Sequence, residues 1–173
     1  MADDSKPAPA GMTWKDAGAP RRAPATSPLD KVDRFNEISA QTLREAWDSD
    51  LPGPRNGPQD AYRHALWTGR MTREFGPVVA RGAGLANEAV GIAKNLYHRG
   101  TPELEESAMD LKNNERGIIA ALESRDEQEM ASRLRGMADH TREPKTYSEA
   151  WKALFADELV NFPPNQPDEG GGK

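Results

Sequence analysis

The sequence predicts an all-α protein: a compact bundle of about five to six helices between a disordered N-terminal arm and a disordered C-terminal tail. Three observations carry this. Apolar residues recur at helical spacing through the middle of the chain, prolines and glycines break that pattern at helix-length intervals, and no stretch alternates with period two between turn signals as a strand would.

Each element follows from its punctuation. Ser27 reads as an N-cap with Pro28 at the first helical position, followed by Leu29, Val32, Phe35, Ile38, Leu43 and Trp47 as the apolar positions of a helix ending near Asp48. Leu51 to Gly57, with two prolines and two glycines, reads as a loop. A second helix is expected from Pro58 to about Phe75. Gly76-Pro77 breaks the chain and starts a third, to about Tyr97. Thr101-Pro102 opens a fourth, with a break expected before Ser107 and continuation to Leu122. Ser124 with Glu127 reads as the capping box of a fifth, to about Ala138, and Thr146 with Glu149 as that of a sixth, carrying Tyr147, Trp151, Leu154, Phe155 and Leu159. The domain is thus expected at residues 28–161. Residues 1–27 and 162–173 are too rich in Pro, Gly and small residues to offset ordering entropy by burial. Trp14 is the exception in the arm and reads as an anchor, either on a partner such as a carrier or particle protein or on the domain itself.

Composition narrows the function. A net charge of -5 argues against non-specific nucleic-acid binding, and Arg63, Arg70, Arg73 and Arg81 read as a solvated helix face. With no cysteine, thiol catalysis and Cys-type zinc sites are excluded. No apolar run approaches the roughly 20 residues of a membrane span, and Met1-Ala2-Asp3-Asp4 does not begin a Sec signal. The expectation is synthesis in the cytoplasm, with any export by a dedicated secretion system or packaging in a phage particle.

Polar residues then stand out on the three middle helices. Asp60, Arg63, His64 and Trp67 share one helical face, a spacing that lets a carboxylate orient an imidazole. The bland alternative is that Asp60 merely complements the helix dipole and His64 is half-buried. Asp110, Asn113, Asn114 and Gly117 repeat the spacing, although paired asparagines and a glycine are poor helix formers. Against this, Ser107 and Asp110 can be a simple cap. Glu88 shares a face with Asn95, and Gly84, Ala83 and Gly91 suggest a close helix crossing; a solvated Glu88 is the alternative.

The runs Asp60-Ala61-Tyr62-Arg63-His64-Ala65-Leu66-Trp67 and Met109-Asp110-Leu111-Lys112-Asn113-Asn114, with Gly117, resemble a bacterial domain of no established reaction found at the C-termini of some Rhs-type and other polymorphic toxins. The resemblance covers about residues 56–118. Its pattern has His-Glu where this chain has Asn87-Glu88, which puts the activity of the site in question if that histidine is catalytic. The arrangement is similar only in outline to bacterial phospholipases A2, which place an Asp directly after the catalytic His where this chain has Ala65.

The function expected is an effector- or toxin-type hydrolase. His64 is the candidate general base, oriented by Asp60 or Asp110. Arg63 would hold an anionic group, Asn113 and Asn114 would position substrate or water, and Trp67 completes the binding face. A divalent cation held by Glu88, Asp110 and an Asn oxygen is compatible with the residue types. The alternative is a non-catalytic structural or interaction protein, such as a phage virion component or secretion adaptor.

Overall fold

A computed structural model describes residues 27–99, 104–141 and 158–160, and these residues form five helices and no sheet: α1 (Pro28–Trp47), α2 (Pro58–Phe75), α3 (Pro77–Arg99), α4 (Leu104–Glu123) and α5 (Glu127–Ala138). The Trp14 arm, the C-terminal tail and most of the expected sixth helix fall outside the described residues; Leu159, expected within that helix, lies in a non-helical segment at 158–160. Among the described residues no helix is long and apolar enough to cross a membrane.

Local chemistry sets the boundaries. Ser27 Oγ accepts from Asp30 N at 3.1 Å and Asp30 Oδ2 accepts from Ser27 N at 3.0 Å, a complete capping box ahead of Pro28. Two expected boundaries are corrected. α4 runs unbroken from Leu104 through Ser107, so Ser107 is not a cap and Asp110 is not a capping partner. The cap of α5 is Asp126, whose carboxylate accepts from Glu129 N, whereas the Ser124 hydroxyl is buried without a partner.

α2 is the axis of the bundle. It packs against each of the other four helices, while α1 and α3 touch α2 and not one another. The closest crossing is with α4. A Cβ on Gly117 would lie 2.0 Å from Ala65 O, so only glycine allows this approach, and Thr68 Oγ1 donates across it to Asn114 O at 2.9 Å. The main core gathers Ala61, Tyr62, Ala65 and Leu66 of α2 with Ala120, Met130, Leu134 and Leu159. A smaller cluster joins Ile38, Met71, Ala80 and Ile118.

The buried stripe of α1 departs from expectation. Ile38, Thr42, Glu45 and Ala46 are buried, whereas Leu29 and Trp47 are 77% and 70% exposed and Val32 and Leu43 also face outward. Glu45 can be buried because α2 satisfies it: Tyr62 Oη donates to Oε1 at 3.0 Å and Arg70 Nη2 to Oε2 at 2.5 Å. Burial beside Glu45 in turn pushes the Tyr62 hydroxyl well above its usual range.

The four arginines expected as one solvated face are individually engaged. Arg70 is buried between Glu45, Thr42 and Glu127. Arg73 donates to the carbonyls of Ala121, Ser124 and Arg125 beyond and at the end of α4. Arg81 grips Glu115, and Arg63 turns to Asp60.

Candidate functional site

The loop before α2 builds the first wall of the site. Gly53 and Gly57 meet so closely that a Cβ on Gly57 would fall 2.6 Å from Gly53 Cα. Asn56 takes the left-handed conformation, with φ 58°, that asparagine tolerates. Its backbone N–H donates to Asp60 Oδ2 at 2.8 Å, and its side-chain amide donates to Glu106 Oε1 at 2.5 Å. Asp60 is therefore fixed at one oxygen by the loop and presents the other, Oδ1, to its own helix.

One turn on, Arg63 Nε donates to Asp60 Oδ1 at 3.0 Å, and Arg63 Nη2 lies 2.8 Å from His64 Nε2. A guanidinium N–H can only donate, so Nε2 is the bare, accepting nitrogen of the ring. Asp110 of α4 brings its Oδ1 to 3.3 Å from the same Nε2, and Asp60 Oδ1 stands at 3.9 Å. His64 is 6% exposed. Burial and the neighbouring Arg63 lower its pKa to about 4. Burial, then the charges of Glu88 and Asp60, raise Asp110 to about 8. The imidazole is thus held in its neutral form and Asp110 toward its protonated form, while Asp110 Oδ1 itself makes no hydrogen bond.

α3 closes the third side. Glu88 is buried, accepts from Asn87 Nδ2 at 3.2 Å, and is held above the usual carboxylate range chiefly by burial. Gly84 makes room for Asn114: a Cβ there would meet the Asn114 amide nitrogen at 3.1 Å. The Asn114 amide borders the imidazole, yet neither its nitrogen nor its oxygen completes a hydrogen bond, although the residue is only 4% exposed. An unpartnered buried amide is unfavourable by about 1–3 kcal/mol.

The structure brings Asp60, Arg63, His64, Asp110 and Asn114 together, with Glu88 facing the same group. It takes Asn113 elsewhere. The Asn113 amide exchanges two hydrogen bonds with the Val160 backbone, at 2.8 and 2.9 Å, and so ties down the C-terminal segment. Trp67 stands one turn beyond the cluster, donating to Ser39 Oγ at 3.0 Å with its ring edge-on to Phe35. Sequence reasoning missed Asn56 and Glu106. Gly91, expected at a close crossing, faces open space.

Because α1 and α3 do not meet, a cleft of about 620 Å³ opens between them over α2. Arg63, His64 and Trp67 line its floor, and Phe35, Leu43 and Val90 its walls. Asp60, His64 and Asp110 each offer one donor atom to a metal ion, the three atoms lying within 4.8 Å of one another, and Glu88 stands outside that set.

A family model described as a domain of unknown function, DUF6973, matches residues 28–142, which takes in all five helices. The chain belongs to this family. The match extends well beyond the 56–118 of the motif resemblance and takes in the residues of the loop, the cleft and the cluster. No curated protein and no solved structure is significantly similar to the chain.

Proposed function

We propose that this DUF6973 domain is the catalytic domain of an effector-type hydrolase, working at the cluster around His64. The observation that carries the reading is the convergence of Asp60, Asp110 and Arg63 on the bare Nε2 at the floor of an open cleft. A lone pair held neutral by burial, beside a carboxyl that keeps its proton, is what water activation and leaving-group protonation require. Two titratable groups whose surroundings push their affinities apart are a recurrent sign of acid and base roles.

The substrate class follows from the lining. Arg63 is the cation facing the cleft, and the walls beside it are apolar. An ester or phosphoester with a negative charge next to an apolar portion fits this lining. Water gives a proton to the cluster, its oxygen adds to the electrophilic carbon or phosphorus, and the leaving oxygen departs with the proton from Asp110. The toxin context of the motif resemblance supports delivery into a target cell. Growth of cells making the wild-type domain in cytoplasm or periplasm, beside His64→Ala, tests this. Arrest by wild type in one compartment and growth with His64→Ala is expected; unimpaired growth with both, in both compartments, overturns the effector role.

A second reading, an interaction protein, is favoured by one observation, the exposed apolar stripe Leu29, Val32, Leu43 and Trp47 of α1. It is compatible with catalysis, since the stripe adjoins the cleft but not the cluster.

A further inference from the structure

We propose that Asp60, His64 and Asp110 form a binding site for a divalent transition-metal cation, with the amide oxygen of Asn114 as a further donor. The inference rests on the hydrolytic reading of the same cluster but gives His64 and Asp110 the part of ligands in place of base and acid, and the two readings can fail separately.

Geometry is the first argument. Donor atoms about 2.1 Å from one ion are separated by about 3.4 Å at a tetrahedral angle. His64 Nε2 lies 3.3 Å from Asp110 Oδ1 and 3.9 Å from Asp60 Oδ1. An ion about 2.1 Å from Nε2 and from one carboxylate oxygen would subtend about 105° with Asp110 and about 135° with Asp60, within the range of four- and five-coordinate sites, and the three donor atoms all lie within 4.8 Å of one another. The three side chains are already held. Asp60 is pinned from behind by the Asn56 backbone, and the tight crossing at Gly117 sets the register of α4 and so of Asp110. Asp60 therefore has the supported carboxylate that metal sites need around their ligands.

The second argument is the set of atoms left over. Asp110 Oδ1 and both polar atoms of the Asn114 amide are buried without a hydrogen bond. A cation at Nε2 gives the carboxylate oxygen a partner and can draw in the amide oxygen. Gly84 keeps the space that the amide occupies.

The third argument is Arg63. Its Nη2 touches both Asp60 Oδ1 and Nε2, so a positive group already sits on two of the donor atoms. The side chain is 38% exposed and lines the cleft, so it has a path away from the cluster toward solvent, where it can meet an anionic substrate. One imidazole nitrogen with two carboxylates and an amide suits Zn²⁺ or Mn²⁺ better than Ca²⁺, which prefers six to eight oxygens. With the ion in place, Nε2 is a ligand, the ion lowers the pKa of a bound water, and Glu88, facing the cluster but outside the ligand set, stands as the proton acceptor.

The test is titration of chelator-treated, dialysed full-length protein with Zn²⁺ and with Mn²⁺, read by calorimetry and by thermal melting. The expected result is one ion per chain and a raised melting temperature for wild type. Asp110→Asn and His64→Gln should weaken binding at least about tenfold. Arg63→Ala should tighten it, because a competing like charge is removed. His98→Ala and His140→Ala, altered at exposed histidines, should bind as wild type. Absence of saturable binding by wild type overturns the site, as does binding that survives both Asp110→Asn and His64→Gln. Hydrolysis that persists in chelator without any bound ion removes the cation while leaving the hydrolytic reading in place. Stoichiometric binding lost in the two variants sustains the cation even if no ester is cleaved.

Discussion

Asp110→Asn should stabilise the metal-free protein. In the folded chain burial and the charges of Glu88 and Asp60 raise Asp110 from 3.8 to about 8. The unfolded chain keeps the ordinary value. For an acid whose folded pKa is raised, the penalty is absent where both states are protonated, grows as pH rises through the unfolded pKa, and levels off above the folded one. At pH 7 it is at most about 4 kcal/mol at 1.36 kcal/mol per pKa unit. Asparagine is close to an isostere of the protonated acid and carries no charge to bury. Melting in chelator should therefore rise by roughly 5–10 °C at pH 7.5 and by much less at pH 5. The assay is far-UV circular dichroism or calorimetry at the two pH values, with hydrolysis measured alongside. A variant that melts lower than wild type at pH 7.5, or whose advantage shrinks as pH rises, refutes the account of a carboxylate held for chemistry at the expense of stability.

Other expectations concern single side chains. His64, whose folded pKa is lowered to about 4, stabilises only where it is neutral in both states, so stability is lost as pH falls from 6.5 toward 4; His64→Gln should flatten the acid limb of a plot of melting temperature against pH. The two adjacent asparagines should separate cleanly. Asn113→Ala strands the Val160 backbone N–H and C=O and should lower stability by about 1–3 kcal/mol with activity per folded molecule retained, whereas Asn114→Ala, which breaks no hydrogen bond of its side chain, should leave the melt nearly unchanged and impair the site. Gly117→Ala drives a Cβ into Ala65 O and should cost about 3 kcal/mol or more, seen as loss of soluble, cooperatively melting protein. Arg70→Ala leaves Glu45 buried without its cation and should cost about 3–5 kcal/mol by denaturant titration.

Much of this arrangement is legible in the residues themselves. Ser27-Pro28, Gly57-Pro58 and Gly76-Pro77 mark helix starts because capping and proline geometry are local. Asp60, Arg63, His64 and Trp67 stand out because their spacing gives them a common face, Asp110 because it repeats that spacing with Asn113, Asn114 and Gly117, and the asparagine pair because helices disfavour it. What stayed hidden depends on partners distant in sequence. α1 carries two adjacent stripes, and the more polar one is buried because Arg70 and Tyr62, on another helix, satisfy Glu45. Nothing in the periodicity of α1 contains that information. Asn56 reads as an ordinary loop residue until its left-handed backbone delivers an N–H to Asp60. The two asparagines look alike in sequence, and only the position of Val160 assigns one to structure and leaves the other facing His64.

The central claim is that the His64 cluster performs chemistry and is not merely a buried network. The most direct measurement is the rate at which purified wild type and His64→Ala cleave a panel of chromogenic acyl esters and phosphodiesters carrying an anionic group, with the melting temperature of each protein recorded in the same buffer. The account gives measurable cleavage by wild type, loss of at least about 100-fold in His64→Ala, the lower end of what a positioned acid or base contributes, and melts within a few degrees of each other. Equal rates in the two proteins, or no cleavage by either together with a His64→Ala melt lowered by several degrees, would contradict it.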